Sequence, residues 1–333
     1  MSTSNARILG AHSADYLARE ISDVSTAKLE KIPILSKKFA NGEIRVEIHA
    51  SFHGQDIYVI ATGITTDWTI NDHIMELMEI FDALKRSEVG KITLIMPHFP
   101  YLRQDKRMTR EPITASLFCN MISKYIDRII TIDAHFAQFP GFFRDKRIIN
   151  CYAMNLICSY LESKIELNSD YVLISPDTGG SKRIESYASR LKLDYGVMTK
   201  KRNYAIENAV ESTTLHYDND PTGKTAILVD DMIDTAGTIV SAVDTLVASG
   251  ISNCILIATH GLFSGPAIDR LTGCDKITKI YITDSVPQKE NKDKLSDKLE
   301  VIPLRCYIRD LIYVIESHSS VTEFLDRPQY SYF

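Results

Sequence analysis

Long apolar runs are missing from this 333-residue chain; none approaches the 18 residues that a membrane-spanning helix requires. A positive charge excess is missing as well. The 38 Lys and Arg are outnumbered by 43 Asp and Glu, for a formal net charge of −5. No global basic field therefore draws the protein to nucleic acid or to an anionic membrane, and neither is expected as a partner. Polyanionic ligands would have to be met by local Lys and Arg. The six cysteines (Cys119, Cys151, Cys158, Cys254, Cys274 and Cys306) form no C-x-x-C pair. That argues against zinc and for a reducing compartment in which they serve as small core residues. The opening MSTSNARILGAHS lacks the charged and apolar regions of a secretory signal, so a cytoplasmic enzyme is expected. No fixed-period repeat or low-complexity segment occurs. One nucleotide motif is present only in appearance. Gly223-Lys224-Thr225 looks like the end of a P-loop, but Asp218 stands where that motif needs glycine, and the triplet precedes a strand instead of following one.

What is present is an ordinary globular composition, 44% apolar and 24% charged, at a length that suits two domains. Strand-like runs (56–61, 91–96, 128–132, 171–175, 226–229, 253–259 and 279–283) alternate with helical patterns (71–85, 114–124, 152–161, 181–191 and 238–248). This alternation predicts an α/β protein with parallel sheets flanked by helices. The polar-basic stretch Arg144 to Asn150 precedes a new helix, which places a boundary near Asn150 and gives domains of residues 1–150 and 151–304.

The chemistry gathers where predicted strands end, the edge at which open α/β sheets bind ligands. The clearest case is ILVDDMIDTAGT, Ile227 to Thr238. A short apolar strand leads into Asp230, Asp231 and Asp234, then Thr235, Ala236, Gly237 and Thr238 open a helix. Hydroxyls, backbone N–H groups and a helix amino end suit a phosphate. The paired acids could accept from sugar hydroxyls or hold a cation. A phosphorylated sugar satisfies both halves, although a solvated, capped acidic loop would show the same residues.

Other strand ends add to this. PHFPYLRQDKR (Pro97 to Arg107) carries Arg103, Gln104 and Lys106, which suit a triphosphate and a base edge or equally an ion-paired surface loop. TIDAHF sets Asp133 and His135 just past a strand. In SPDTGGSKR, Asp177 could hold a metal or form an Asx turn, while Gly179 and Gly180 allow close backbone approach. TKKRN (Thr199 to Asn203) is a cationic cluster after the predicted strand Tyr195–Met198. Taken together these groups suit phosphoryl transfer, which needs positioning, Mg²⁺ and cations more than a covalent nucleophile.

From about Phe39 to Pro287 the chain resembles the ribose-phosphate pyrophosphokinases (phosphoribosyl pyrophosphate synthetases) through FANGE, YLRQDKR, REPITA, DAHFAQFPGFF, SPDTGG, TKKRN, LVDDMIDTAGT and ATHGLFSGPAI, in that order. The resemblance implies two similar doubly wound parallel-sheet domains of the phosphoribosyltransferase type, the first binding ATP and the second ribose 5-phosphate. It implies a tail, about 305–333, packed back on the first domain. The implied reaction transfers the pyrophosphoryl group of ATP to ribose 5-phosphate with Mg²⁺. Carried over residue by residue, Asp234 and Thr235 to Thr238 would hold the 5-phosphate, and Asp230 and Asp231 the ribose hydroxyls. Arg103, Gln104 and Lys106 would meet ATP phosphates, while Phe39, Asn41, Gly42 and Glu43 of a neighbouring subunit would receive adenine. His135 and Asp177 would be metal sites. Lys200 and Arg202, on a mobile loop, would neutralise charge during transfer. A homo-oligomer of dimers stacked into a hexamer is expected. Three departures stand out: Asn41 replaces the usual Asp, Lys106 and Lys201 replace Arg, and the stretch from Asp105 to Arg110 is one residue shorter. A regulatory site that in many relatives binds activating phosphate and inhibitory ADP would have His53 and Met108 in place of two arginines. A non-catalytic relative, or a phosphoribosyltransferase that consumes the product, stays as the alternative.

Overall fold

The computed structural model describes residues 6–25, 29–202 and 210–333, the side chains of residues 200–202 and 210–213 excepted. In chain order the elements begin with β1 (Ala6–Gly10), α1 (Asp15–Asp23), β2 (Ile34–Lys38), β3 (Ile44–Ile48), β4 (Asp56–Ile60), α2 (Ile70–Arg86), β5 (Ile92–Ile95), α3 (Thr114–Ser123), β6 (Arg128–Ile132) and β7 (Arg147–Cys151). Next come α4 (Met154–Lys164), β8 (Tyr171–Ser175), α5 (Ser181–Leu191), β9 (Tyr195–Arg202), β10 (Val210–His216), β11 (Thr225–Ile233), α6 (Gly237–Ala248), β12 (Asn253–Gly261) and α7 (Ala267–Thr272). The last are β13 (Ile277–Thr283), α8 (Lys289–Leu295), β14 (Leu299–Ile302), α9 (Arg305–Glu316) and α10 (Val321–Leu325).

The chain divides into two compact units: Met1–Tyr152 with Ser285–Pro287 and Pro303–Asp326, and Ala153–Asp284 with Gln288–Ile302 and Arg327–Phe333. The C-terminal tail is thus split. Residues 303–326 pack in the first unit, where Arg305 pairs with Glu20 and Arg309 Nη1 donates to the Val24 carbonyl. Residues 327–333 pack in the second, where Asn155 Nδ2 donates to the Arg327 carbonyl.

The first unit is built on the parallel sheet β1-β4-β5-β6-β7. Beyond β1, Ile8 also bridges Lys31 in parallel, so the chain leaves β1 in one direction and returns as β4 on the other side. The strands DIYVI, ITLI and RIITI are apolar almost throughout because helices cover both faces. α2 starts at a capping box, Thr69 with Asp72, and buries Leu77, Ile80, Phe81 and Leu84. Each such side chain contributes about 1.5–3 kcal/mol on burial.

The second unit repeats the winding. Its sheet runs β10-β9-β8-β11-β12-β13-β14, parallel except for β10 against β9. Again the chain goes one way from its first strand, β8 to β9, and then reverses to β11. The two units are therefore wound alike, each with a switch point beside its first strand.

Two expectations need correcting. The strand ending in the acids runs four residues further than its apolar core, to Ile233, because β12 extends to Gly261 and keeps pairing with it: Asp230 opposite Ala258, Met232 opposite His260. Lys200 to Arg202 are the end of strand β9, not a loop, because β10 pairs with them up to Arg202. The side chains of Lys200 and Arg202 lie outside the described residues.

Candidate active site

In the second unit three neighbouring strands, β9, β8 and β11, end where the sequence placed its chemistry. Asp230 and Asp231 sit inside the last turn of pairing of β11. Asp230 Oδ1 accepts from the Asp231 N–H at 2.8 Å and from Arg183 Nη1 at 3.1 Å. The same guanidinium nitrogen lies 3.6 Å from Asp231 Oδ1, so Arg183 straddles both acids. Burial pushes Asp230 up to about 7, with repulsion from Asp231 adding to it and Arg183 opposing. Arg183 ends the stretch SPDTGGSKR, whose sequence pattern gives it no role. It lies 47 residues from Asp230, and only the β8–β11 pairing brings α5 to the acids.

Beyond the acids, Asp234 to Thr238 turn into α6. Ala236 adopts φ 58°, the left-handed region, and no side chain caps the helix. Its first N–H groups are therefore offered to the turn, with the Thr235 and Thr238 side chains exposed beside them. At the end of β8, Ser175 Oγ donates to the Asp177 carbonyl at 2.7 Å, and Asp177 Oδ1 accepts from the Gly180 N–H at 3.2 Å. A Cβ on Gly180 would collide with Ser175 Oγ, so a larger residue would push that hydroxyl off the Asp177 carbonyl.

The first unit moors its candidate ATP residues on the first turn of α2. Lys38, at the end of β2, pairs with Asp72 at 2.6 Å, and Lys38 with Thr69 holds that carboxyl down to about 2. Tyr101, in the loop after β5, donates to the adjacent Asn71 Oδ1 at 2.6 Å. The hairpin β2–β3 carries Phe39, Asn41, Gly42 and Glu43 at an exposed tip. Gly42 takes φ 93°, Asn41 Oδ1 accepts from the Glu43 N–H, and Lys37 Nζ stands 5.5 Å from the centre of the Phe39 ring. In the loop after β5, Arg103, Gln104 and Lys106 are exposed. Gln104 Oε1 accepts from Thr114 Oγ1 at 2.5 Å, and Glu111 accepts from the Met108 and Thr109 N–H groups. His135 is exposed just past β6, next to Asp133 at φ 45°.

Among the described residues no group of three or more His, Cys, Asp or Glu is placed to hold a metal ion. Mg²⁺ does not need one, since it commonly binds through one or two carboxylates, waters and the substrate's own phosphates. The exposed Asp177 carboxylate fits that donor set; the His135 imidazole is a softer ligand than Mg²⁺ prefers. All six cysteines are free thiols, and burial pushes Cys119, Cys151, Cys158 and Cys254 up to about 12, which makes them inert. Among the described residues no helix is long and apolar enough to cross a membrane.

Comparison with known proteins agrees with this layout. A family model for the N-terminal domain of ribose phosphate pyrophosphokinase matches residues 6–125, and one for the phosphoribosyl synthetase-associated domain matches residues 198–326. The crystal structure of phosphoribosylpyrophosphate synthetase from Mycobacterium smegmatis aligns with TM-score 0.84 at 32% identity, over 95% of this chain and 100% of that one. Adenine phosphoribosyltransferase from Thermoanaerobacter pseudethanolicus aligns over 45% of this chain and 80% of its own at 17% identity, but its TM-score of 0.28 carries no weight.

Proposed function

We propose a division of labour for this chain, which belongs to the ribose phosphate pyrophosphokinase (phosphoribosylpyrophosphate synthetase) family. The enzyme transfers the pyrophosphoryl group of ATP to the 1-hydroxyl of ribose 5-phosphate, giving 5-phosphoribosyl 1-pyrophosphate and AMP. The hydroxyl oxygen bonds to the β-phosphorus and gives up its proton to solvent, the bond from that phosphorus to the α–β bridging oxygen breaks, and AMP leaves with the electron pair.

The second unit takes ribose 5-phosphate. Asp230 and Asp231 accept from the ribose hydroxyls, and the turn from Asp234 through Thr235, Ala236, Gly237 and Thr238 takes the 5-phosphate on N–H groups and hydroxyls. The first unit takes ATP: Arg103, Gln104 and Lys106 meet the phosphates, and the tip residues Phe39, Asn41, Gly42 and Glu43 of a second subunit receive adenine. Asp177, and by resemblance His135, would hold Mg²⁺, which neutralises phosphate charge when bound. Lys200 and Arg202 counter the negative charge that redistributes as the pyrophosphoryl group moves. The exposed hairpin tip is free to reach a second subunit, and by resemblance the enzyme is a dimer-based homo-oligomer of hexameric order in the cytoplasm. Mixed Glu43→Ala and Arg103→Ala chains should then regain part of the activity that each lacks alone, whereas no recovery despite subunit exchange would mean a site built within one chain.

One observation carries this reading: a carboxylate pair bracketed by Arg183 runs directly into an uncapped helix start at a single strand end. No free sugar needs the second half, and no free phosphate needs the first. The decisive test is incubation of the purified protein with ATP and Mg²⁺, with and without ribose 5-phosphate, and assay of AMP. AMP formed only with the sugar phosphate is expected; none formed would leave a non-catalytic relative.

A further inference from the structure

The segment ATHGLFSGPAIDR, Ala258 to Arg270, belongs to the family-like pattern yet has no chemical task so far. It starts as the end of β12 and closes with α7. Its backbone captures the phosphate turn from behind. The Leu262 and Phe263 N–H groups donate to the Ile233 carbonyl at 2.8 and 3.1 Å, and the Ser264 N–H donates to the Asp234 carbonyl at 3.0 Å. The next carbonyl, that of Thr235, is taken by Arg270 Nη1 at 2.8 Å. The carbonyl of Ala236 accepts the Val240 N–H at 3.0 Å inside α6. Four consecutive carbonyl oxygens are thus engaged, and an anion site needs its carbonyls engaged elsewhere so that N–H groups can face the ligand.

Arg270 is the only side chain among these donors. It acts on the strained point of the turn, because the peptide it grips immediately precedes Ala236 at φ 58°, a conformation that a non-glycine residue holds only when its surroundings fix it. The guanidinium also occupies the space over Gly237: a Cβ there would lie 3.0 Å from Arg270 Nη1. Its root is firm, since Ala267 and Leu271 of α7 are fully buried.

We propose that Arg270 is a positioning residue for the ribose 5-phosphate turn, gripping the Thr235 carbonyl so that the N–H groups of the turn face the phosphate and adding a fixed positive charge behind them. This rests on the reading of residues 235–238 as the 5-phosphate site. The test is steady-state kinetics of Arg270→Ala, Arg270→Lys and Thr238→Ala in the full-length enzyme, with thermal denaturation measured with and without ribose 5-phosphate. Losing a hydrogen bond from a charged donor should raise KM for ribose 5-phosphate by about ten- to a hundred-fold in Arg270→Ala. KM for ATP and the melting temperature without ligand should stay put, and the stabilisation by ribose 5-phosphate should shrink. Arg270→Lys, which keeps a point charge but not the fork, should fall between. If Thr238→Ala raises this KM and Arg270→Ala does not, the proposal is wrong and the phosphate turn stands. If neither variant moves it, the reading of the turn fails and the proposal with it. A fall in kcat with both KM values unchanged would also overturn the positioning role.

Discussion

The two units share one winding but use its switch point in opposite ways. In the second, the crevice between β8 and β11 is charged: Asp177, Arg183, Asp230 and the exposed threonines of the turn gather there. In the first, the matching place between β1 and β4 is filled by the protein itself. Ser13 Oγ accepts from the Thr62 and Gly63 N–H groups, and Thr62 Oγ1 donates to the Ser13 carbonyl, all of it buried. His12 stacks on Trp68 at 4.4 Å between centroids, and its N–H donates to the fully buried Glu76 at 2.8 Å. The groups proposed to meet ligand in this unit lie instead past β5 and β6 and on the hairpin. A topological crevice therefore offers a site, and side-chain packing decides whether it is used.

The largest effect should come from breaking the second unit's chemistry without touching its binding. Lys200→Ala is expected to lower kcat by about 10²–10³-fold, because cations aimed at developing charge act mainly in the transition state. Affinity for ribose 5-phosphate, read by calorimetry, should stay near that of the wild type. Turnover near the wild-type level would remove Lys200 from catalysis.

The filled crevice should answer with stability instead. Glu76 accepts from the His12 N–H and, at 2.5 Å, from Ser36 Oγ. Glu76→Ala strands both donors inside the protein, at a cost of about 2–5 kcal/mol. That predicts a fall in melting temperature of roughly 5–15 °C. Asp230→Ala should not show such a fall, because it relieves two crowded acids. Equal losses in both variants would erase the contrast between the units.

How much of this was legible beforehand follows from the same contrast. Runs such as IYVI and RIITI announce strands because both faces are buried. The hairpin β2–β3 was not foreseen as strands: its residues are half-buried or exposed, and charged side chains interrupt the pattern. The last four residues of β11 were also missed, since Asp is a poor strand former and only the partner β12 holds it there. Asp230, Asp231 and the Thr turn could be found because they are neighbours in sequence. Arg183 and Arg270 could not, since they reach the site from 47 and 35 residues away. The filling of the first crevice, by His12 against Glu76 across 64 residues, was invisible for the same reason.

A smaller effect concerns pH. Asp230 has its folded value raised to about 7 from the ordinary 3.8, first by burial and then by Asp231. Between these values the folded protein holds a proton that the unfolded chain has released. The contribution to stability is therefore full below pH 4 and is lost as pH rises through about 7. Asp230→Asn lacks this loss, so its melting temperature relative to wild type should climb from pH 5 to pH 8. Ribose hydroxyls donate to the ionised carboxylate, so affinity for ribose 5-phosphate should rise across the same window in the wild type more than in Asp230→Asn. Parallel stability curves for the two proteins would show that Asp230 titrates at its ordinary value.

The smallest effect expected is in regulation, and it lies wholly in the first unit. Many relatives are activated by phosphate at a separate site; here the resemblance sets His53 and Met108 where two arginines of that site would be, with Ser320 and Thr322 at its hydroxyl positions. His53 Nδ1 lies 3.5 Å from the Glu88 carboxylate, both side chains being exposed, so an acid that repels phosphate stands beside the position. Met108 is 78% exposed and offers no side-chain donor, and its own N–H is taken by Glu111 at 2.7 Å. Ser320 Oγ already accepts the Glu323 N–H as the cap of α10. Arg107, the cation next to Met108 in sequence, donates through Nε to the Thr109 carbonyl at 2.6 Å. Two missing hydrogen bonds from charged donors, at about 1.5–3 kcal/mol each, amount to a hundred-fold or more in phosphate affinity. Initial rates measured in phosphate-free buffer and across a phosphate titration, at constant free Mg²⁺, should therefore be nearly flat, with ADP inhibiting by competition with ATP. Activity that is near zero without phosphate and climbs steeply on its addition would show that His53 and Met108 do not silence the site. In that case Glu88→Gln should sharpen the activation further, because it removes the carboxylate paired with His53.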